Sequence, residues 1–386
     1  MKKRNILFVV DERKMGGVSI LLSDILKKIR IDKYNIDLLI LHDNGDCLKD
    51  LPKSINIIYG TPFFEGVDIT IKEAIKSMNI KKIYHKVNLI LSMKMKTIGK
   101  KIIRERKKIL NKKYDVEIAF KDGFCTVFTA YGDSKKKVQW MHSDYSMHDS
   151  TGNYRSLFMD ILHKYDVTIC ISKSVLERYK EKYDIEKKEV IYNLIDKDKI
   201  INKSKEEDIH FDSDKINLIS VGRIHHMKGY DRLVDVLHHL DIDKKLDNVI
   251  VRIIGDGPDF PLVENKIHEY HLEDKVLLLG QMDNPFPYVK ASDFFLMCSR
   301  YEPFGLVILE AMILGVPVLS MDVASIREIM SNDFGLIYDN SEEGLYNGIN
   351  EIINNPQKRE KLKKNLEKYE YDIQKIIKQI ENLLDS

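Results

Sequence analysis

Short runs of aliphatic and β-branched residues alternate with helix-like stretches along this chain, and the alternation happens twice. In the first half, NILFVV (5–10), IDLLIL (36–41), INIIYG (55–60), DVEIAF (115–120), KVQWM (137–141), DVTICIS (166–172) and EVIYN (189–193) are separated by helical patterns, among them Val18 to Ile29. Continuous apolar runs of this length fit strands covered on both faces, as in a parallel α/β sheet. Residues 196–215 are polar, lack a sustained apolar period and read as a linker. The alternation then restarts with INLISV (216–221), VIVRIIG (249–255), KVLLLG (275–280), DFFLMC (293–298), VPVLS (316–320) and GLIYD (335–339). Two helical segments, about 341–354 and 356–384, follow. The pattern predicts two doubly wound α/β sheets facing across a cleft, with ligands beyond the carboxyl ends of the strands.

A chain of 386 residues has room for two such domains, and 44% apolar against 32% charged residues supplies ample core without marking disorder. The longest apolar runs, Ile6 to Val10 and Phe294 to Cys298, have five residues each, whereas a membrane-spanning helix needs about 20. For the same reason the first of them reads as a buried strand and not as the core of a signal peptide. Cys47, Cys125, Cys170 and Cys298 stand far apart with no CxxC pair, which argues against a zinc ribbon or a disulfide framework and predicts a reducing, cytoplasmic setting.

Net charge is only +2, but residues 72–113 hold fifteen Lys or Arg against two acids, so the remainder of the chain is acidic. Apolar residues at 80, 83, 84, 87 and 90–91 fit a helical stripe, and those at 98, 102, 109 and 110 a second one. A basic amphipathic segment is expected to bind an anionic membrane surface; a solvated helical hairpin, or an arm gripping an anionic acceptor, are the alternatives. No nucleic-acid motif or aromatic platform accompanies the charge, so nucleic acid is not an expected partner.

The chemistry concentrates in residues 299–320, SRYEPFGLVILEAMILGVPVLS. A strand ends in a loop holding Glu302, a helix opens near Phe304-Gly305 and carries Glu310, and Gly315 stops it. The backbone N–H groups of Phe304, Gly305 and Leu306 would form an anion site, where each favourable charge contact is worth roughly 0.3–2 kcal/mol. Glu310 suits two vicinal hydroxyls, as on a ribose. In VGRIHHMKGYDRLVD (221–235), Arg223 offers a planar fork and Lys228 a point charge, a combination suited to a diphosphate. Gly16-Gly17 after the first strand would let a ligand approach the backbone, although the GxGxxG fingerprint is absent. GDGPDF (255–260) reads as a tight structural turn. His142 lies just past a strand end, where a polar contact with substrate and a structural role are both open. His225-His226 are badly spaced for one helix face, and no metal cluster is expected.

Taken together, GRIHHMKG, GDGP and EPFGLVILEAMILGVPV resemble the family-four retaining glycosyltransferases of GT-B fold, built from two Rossmann-like domains. Glu302 and Glu310 match the EX7E motif of that family; Gly16-Gly17, His142, CISKS (170–174) and YNLID (192–196) fall in its order. The resemblance implies that Arg223 and Lys228 hold the donor diphosphate, Glu310 takes the ribose, and Glu302 contacts the sugar. It also implies that Phe304, Gly305 and Leu306 complete the pocket, that His142 contacts the transferred sugar, and that Gly16 and Gly17 approach the donor phosphate or the acceptor. Asn193 and Asp196 match the N-x-[IV]-D segment of the family, with Ile195 as the aliphatic residue after Leu194. The expected domains are 1–195, with the final helix at about 370–386 packing back onto it, and a donor domain at 196–369. The expected activity moves a sugar from a UDP-linked donor to a glycan, lipid-linked or polymer acceptor in cell-envelope glycan synthesis, without cofactor or metal. The expected location is cytoplasmic, peripheral at the inner face of the membrane. A catalytically silent glycan-binding subunit and a GT-B sugar-nucleotide epimerase are the other readings.

Overall fold

The computed structural model describes residues 3–11, 17–42, 51–67, 69–142, 160–181 and 187–386. Gly16 and Cys47, both singled out from the sequence, lie outside the described residues. The chain divides into two units, residues 1–194 with 373–386, and residues 195–372.

Unit 1 is a parallel sheet of seven strands among the described residues: β1 (Arg4–Val10), β2 (Tyr34–Ile40), β3 (Asn56–Tyr59), β4 (Val116–Ala119), β5 (Lys136–Met141), β6 (Val167–Cys170) and β7 (Lys188–Val190). They lie in the order β3-β2-β1-β4-β5-β6-β7, with Ile6 opposite both Ile36 and Val116. Ile6, Leu7, Phe8 and Val9 are fully buried, as a strand covered on both faces requires. Phe8 meets Phe120 edge-on at 6.0 Å, and Phe120 meets Trp140 at 4.9 Å, so one aromatic cluster ties β1 to the ends of β4 and β5. The order reverses between β1 and β4, which makes a crevice at their carboxyl ends.

The helix Ile373–Asp385 belongs to this unit. Its apolar face buries Ile376, Ile380, Leu383 and Leu384, and it is pinned by Tyr34 Oη donating to Asp385 Oδ1 (2.8 Å) and Lys136 Nζ donating to the Leu383 carbonyl (2.7 Å). The sequence reading of one helical segment over 356–384 is therefore corrected. Pro356–Leu366 is a separate helix of unit 2, and a break at residues 367–372 lets the chain return to unit 1.

Unit 2 is a parallel sheet of β8 (Ile216–Val221), β9 (Val249–Ile254), β10 (Val276–Gly280), β11 (Phe294–Met297), β12 (Val318–Met321) and β13 (Gly335–Tyr338), ordered β10-β9-β8-β11-β12-β13. Its switch point falls between β8 and β11. The stretch expected to be a polar linker contains the helix Lys197–Lys203, which buries Ile200. Asp196 caps that helix by accepting the Lys199 N–H at 3.2 Å, which explains a short polar segment becoming helical. Cys125, Cys170 and Cys298 are buried free thiols.

Candidate functional site

The carboxyl end of β8 runs into Gly222 and Arg223, a turn at His226–Lys228, and the helix Tyr230–Ile242. The carboxyl end of β11 runs into Cys298, Glu302 and the helix Leu306–Ile313. These two segments flank the switch point, and the structure locks them together. Gly229 has φ +72, and a side chain there would lie 2.2 Å from the Cys298 carbonyl oxygen, so only glycine allows this close crossing. Arg232 is buried and donates through Nε (3.1 Å) and Nη2 (2.7 Å) to the same carbonyl, and through Nη2 to Asn340 Oδ1 (2.7 Å). Arg300 forms a two-pronged pair with Asp231 at 2.6 and 2.8 Å, and its backbone N–H donates to the Met227 carbonyl at 2.8 Å.

Held this way, Lys228 Nζ donates to Glu302 Oε2 at 2.5 Å, with side-chain exposures of 30% and 10%. Ser220, Lys228, Tyr230, Cys298, Glu302 and Val307 line a small cavity at this point. Burial pushes the Cys298 thiol up to about 12, so it stays protonated and is no nucleophile. Ser325 Oγ donates to the Glu302 carbonyl at 2.9 Å and fixes the loop from beneath.

The helix begins one residue later than its sequence pattern suggests: Gly305 is the N-cap, at φ +90, and Leu306 is the first helical residue. No side chain caps this end and no acid occupies its first turn. The N–H groups of Gly305 and Leu306 have no protein acceptor among the described residues. Glu310 is half-buried, one turn into the helix. Arg223 is exposed at the tip of β8, and its side chain makes no ion pair among the described residues. The loops at the switch point of unit 2 thus carry two cations, an uncapped helix end and two carboxylates, a combination that can hold a diphosphate beside a hydroxylated group.

Two neighbouring segments make contacts within the loops. The GDGP turn packs on the loop after β8, with the Ile224 N–H donating to the Asp256 carbonyl at 2.9 Å. His225 accepts the Met227 N–H through Nδ1 at 3.3 Å and so caps its own turn. Among the described residues no three His, Cys, Asp or Glu side chains group in a way that could hold a metal ion.

In unit 1, Gly17 is exposed as the first residue of the helix Gly17–Lys28. His142 follows β5, 8% exposed, with its backbone N–H donating to Asp122 Oδ2 at 2.9 Å and its ring parallel to Trp140. Burial pushes its imidazole down to about 3, so it is neutral near pH 7. Sequence reasoning missed Asp11, at the carboxyl end of β1. Its carboxylate accepts the N–H groups of Phe124 (3.1 Å) and Cys125 (2.5 Å) and occupies the start of the helix Phe124–Ala130, closing that end to an external anion. Arg232, Arg300 and Ser325 were missed as well; the adjacent Asp231-Arg232 pair was visible, but its partners lie 66 or more residues away.

Both units are Rossmann-like doubly wound domains, and the fold is GT-B. A structural relative, HepE of Anabaena solved with UDP and glucose, superposes with a TM-score of 0.73 at 21% identity, covering 99% of this chain and 100% of that one. Residues 202–369, nearly all of unit 2, match the family described as glycosyl transferases group 1. The N-acetyl-alpha-D-glucosaminyl L-malate synthase of Bacillus anthracis is 28% identical over 295 residues, covering 73% of this chain and 71% of the relative. The N-acetylgalactosamine-N,N'-diacetylbacillosaminyl-diphospho-undecaprenol 4-alpha-N-acetylgalactosaminyltransferase of Campylobacter jejuni is 32% identical over 205 residues, covering 52% of this chain and 54% of the relative. These likenesses support a group 1 glycosyltransferase.

Proposed function

We propose that this chain is a retaining, metal-independent glycosyltransferase that moves a hexose-type sugar from a UDP-linked donor to an acceptor in cell-envelope glycan synthesis. The observation that carries the reading is the Lys228–Glu302 pair beside the uncapped N-terminus at Gly305, at the switch point of unit 2. Cleavage of the sugar–phosphate bond puts negative charge on the departing diphosphate and positive charge on the ring. Arg223, Lys228 and the Gly305 and Leu306 N–H groups would stabilise the first, Lys228 once the diphosphate shares or replaces its Glu302 partner. Glu302 would contact sugar hydroxyls and Glu310 the ribose. His142, neutral, would serve as a hydrogen-bonding partner of the transferred sugar, and Gly17 would serve the donor phosphate or the acceptor.

The names of relatives lean the same way: HepE was solved with UDP and glucose, and the Campylobacter relative acts on a diphospho-undecaprenol-linked glycan. We place the protein in the cytoplasm, drawn to the anionic inner face of the membrane by residues 72–113, where a lipid-linked acceptor would be met. The test is a panel of nucleotide sugars offered to purified protein with scoring of released nucleoside diphosphate. Release from UDP-sugars above all others supports the reading; release from none sinks it.

A further inference from the structure

Eight of the thirteen large apolar residues exposed among the described residues fall within the basic segment, between positions 75 and 103. Five of them form a line. Ile80, Tyr84, Val87 and Leu91 recur on the outer face of the helix Ile80–Lys94, and Met95 extends the line past its end. A spacing of four, three, four and four residues keeps one face of a helix in register over about 22 Å. The opposite face is already spent on unit 1, where Leu89 is fully buried. The next helix, Ile98–Ile109, runs beside this line, and Tyr84, Val87, Leu91, Met95, Lys100 and Arg104 line one groove.

Charge follows a complementary division. Lys101 and Lys108 are engaged with Glu105 at 3.2 and 2.8 Å, Arg106 with buried Glu117 at 2.7 Å, and Lys112 with Asp37 at 3.0 Å. Lys94, Lys100, Arg104 and Lys107 are exposed and make no ion pair among the described residues. The paired cations are therefore structural, and the unpaired ones flank the apolar line.

We propose that this face inserts into an anionic lipid bilayer, with Tyr84, Val87, Leu91 and Met95 in the headgroup and acyl boundary and Lys100, Arg104 and Lys107 on lipid phosphates. An apolar line of this extent edged by unpaired cations matches a membrane interface, in which both features are satisfied at once. A second copy of the chain fits the apolar line but brings like charge against like charge. The inference rests on the membrane location proposed above and sharpens it: attachment has a salt-resistant apolar part as well as an electrostatic one.

The test uses the full chain and vesicles of phosphatidylcholine with or without phosphatidylglycerol. Wild-type protein should co-sediment with anionic vesicles, losing about tenfold or more in affinity from 0.1 to 1 M salt, as the Debye length falls from ~10 to ~3 Å, yet keeping a residue of binding at 1 M. Tyr84→Ser with Leu91→Ser should remove that residue, and Lys100→Gln with Arg104→Gln and Lys107→Gln should remove the salt-sensitive part. A Leu91→Trp reporter should blue-shift on binding and be quenched by acyl-brominated lipid; Trp140 is buried and contributes a constant background. A reporter that is not quenched while soluble polyglutamate competes fully overturns insertion. So does a salt-resistant dimer in sedimentation that the two serine substitutions dissolve. UDP affinity, measured in parallel without lipid, should match wild type in all variants. Absence of UDP binding with insertion intact would count against the glycosyltransferase reading alone.

Discussion

Lys228 and Glu302, separated by 74 positions in sequence, share a hydrogen bond of 2.5 Å in a site where Glu302 is almost wholly buried. The ammonium proposed for the donor diphosphate is thus already neutralised before any ligand arrives. A diphosphate must share or replace that partner.

This pairing separates two substitutions. Lys228→Ala should weaken UDP binding about tenfold to a hundredfold, since a bond to a charged group is worth ~1.5–3 kcal/mol. Glu302→Gln removes the competing carboxylate, so UDP affinity should hold or rise while turnover falls at least tenfold. Calorimetry with UDP and single-turnover assays read the two quantities. Equal loss of UDP affinity in both variants would contradict the assignment.

Glu310 and Arg223 make a second pair of tests. Glu310→Gln should weaken binding of UDP about tenfold and leave binding of inorganic diphosphate unchanged, because only the former carries a ribose. Arg223→Ala should weaken both, most at low salt, since the guanidinium is exposed and screened. Loss of diphosphate binding in Glu310→Gln would place that residue at the phosphates.

Metal dependence is checked by chelation. If Arg223, Lys228 and the helix end supply the positive field as proposed, EDTA should leave turnover on the best donor largely unchanged. A strict requirement for a divalent ion would overturn the metal-independent part of the proposal.

His142 carries a pH prediction. Its folded-state value is depressed to about 3 by burial, against 6.5 for a free histidine. The unfolded chain therefore binds a proton more readily between those values. The contribution of His142 to stability is complete above pH 6.5, declines as the pH falls through that window, and is lost below about 3. His142→Asn should flatten the acid limb of the stability curve relative to wild type in urea unfolding, and ring nitrogen NMR shifts should stay those of neutral imidazole at pH 5. A titration near 6.5 would show the ring to be solvated.

Arg106 must be kept out of any charge-removal series on the basic hairpin. Its guanidinium donates to both oxygens of fully buried Glu117 at 2.7 and 2.8 Å and lies over the Phe128 ring at 4.5 Å. Burial raises the Glu117 carboxyl, and Arg106 partly offsets it. Arg106→Ala strands that carboxyl and should cost ~3–5 kcal/mol in urea unfolding, whereas Arg104→Ala, exposed two positions earlier, should cost under ~0.5 kcal/mol.

Local sequence specifies the strands, their parallel arrangement in two sheets, and a helix opening within a residue of Gly305. These rest on local causes: apolar runs too short to be anything but strands, and a glycine-bearing turn between strand and helix. It also presented Arg223 with Lys228 and Glu302 with Glu310, because each pair lies in one strand-turn-helix unit, whose spacing is local. Periodicity could not tell which side of the helix Ile80–Lys94 would be covered, since 80, 83, 84, 87 and 90–91 all satisfy one broad stripe. Only packing against unit 1 left Tyr84 and Leu91 outside. Nor could it show that Asp11 fills a helix start 113 residues away, that Arg232 holds the Cys298 carbonyl, or which lysines of the basic segment are already paired. The polar partners of these buried groups are chosen by where the strand order places two distant loops. That choice is made by the whole sheet, and no window of sequence contains it.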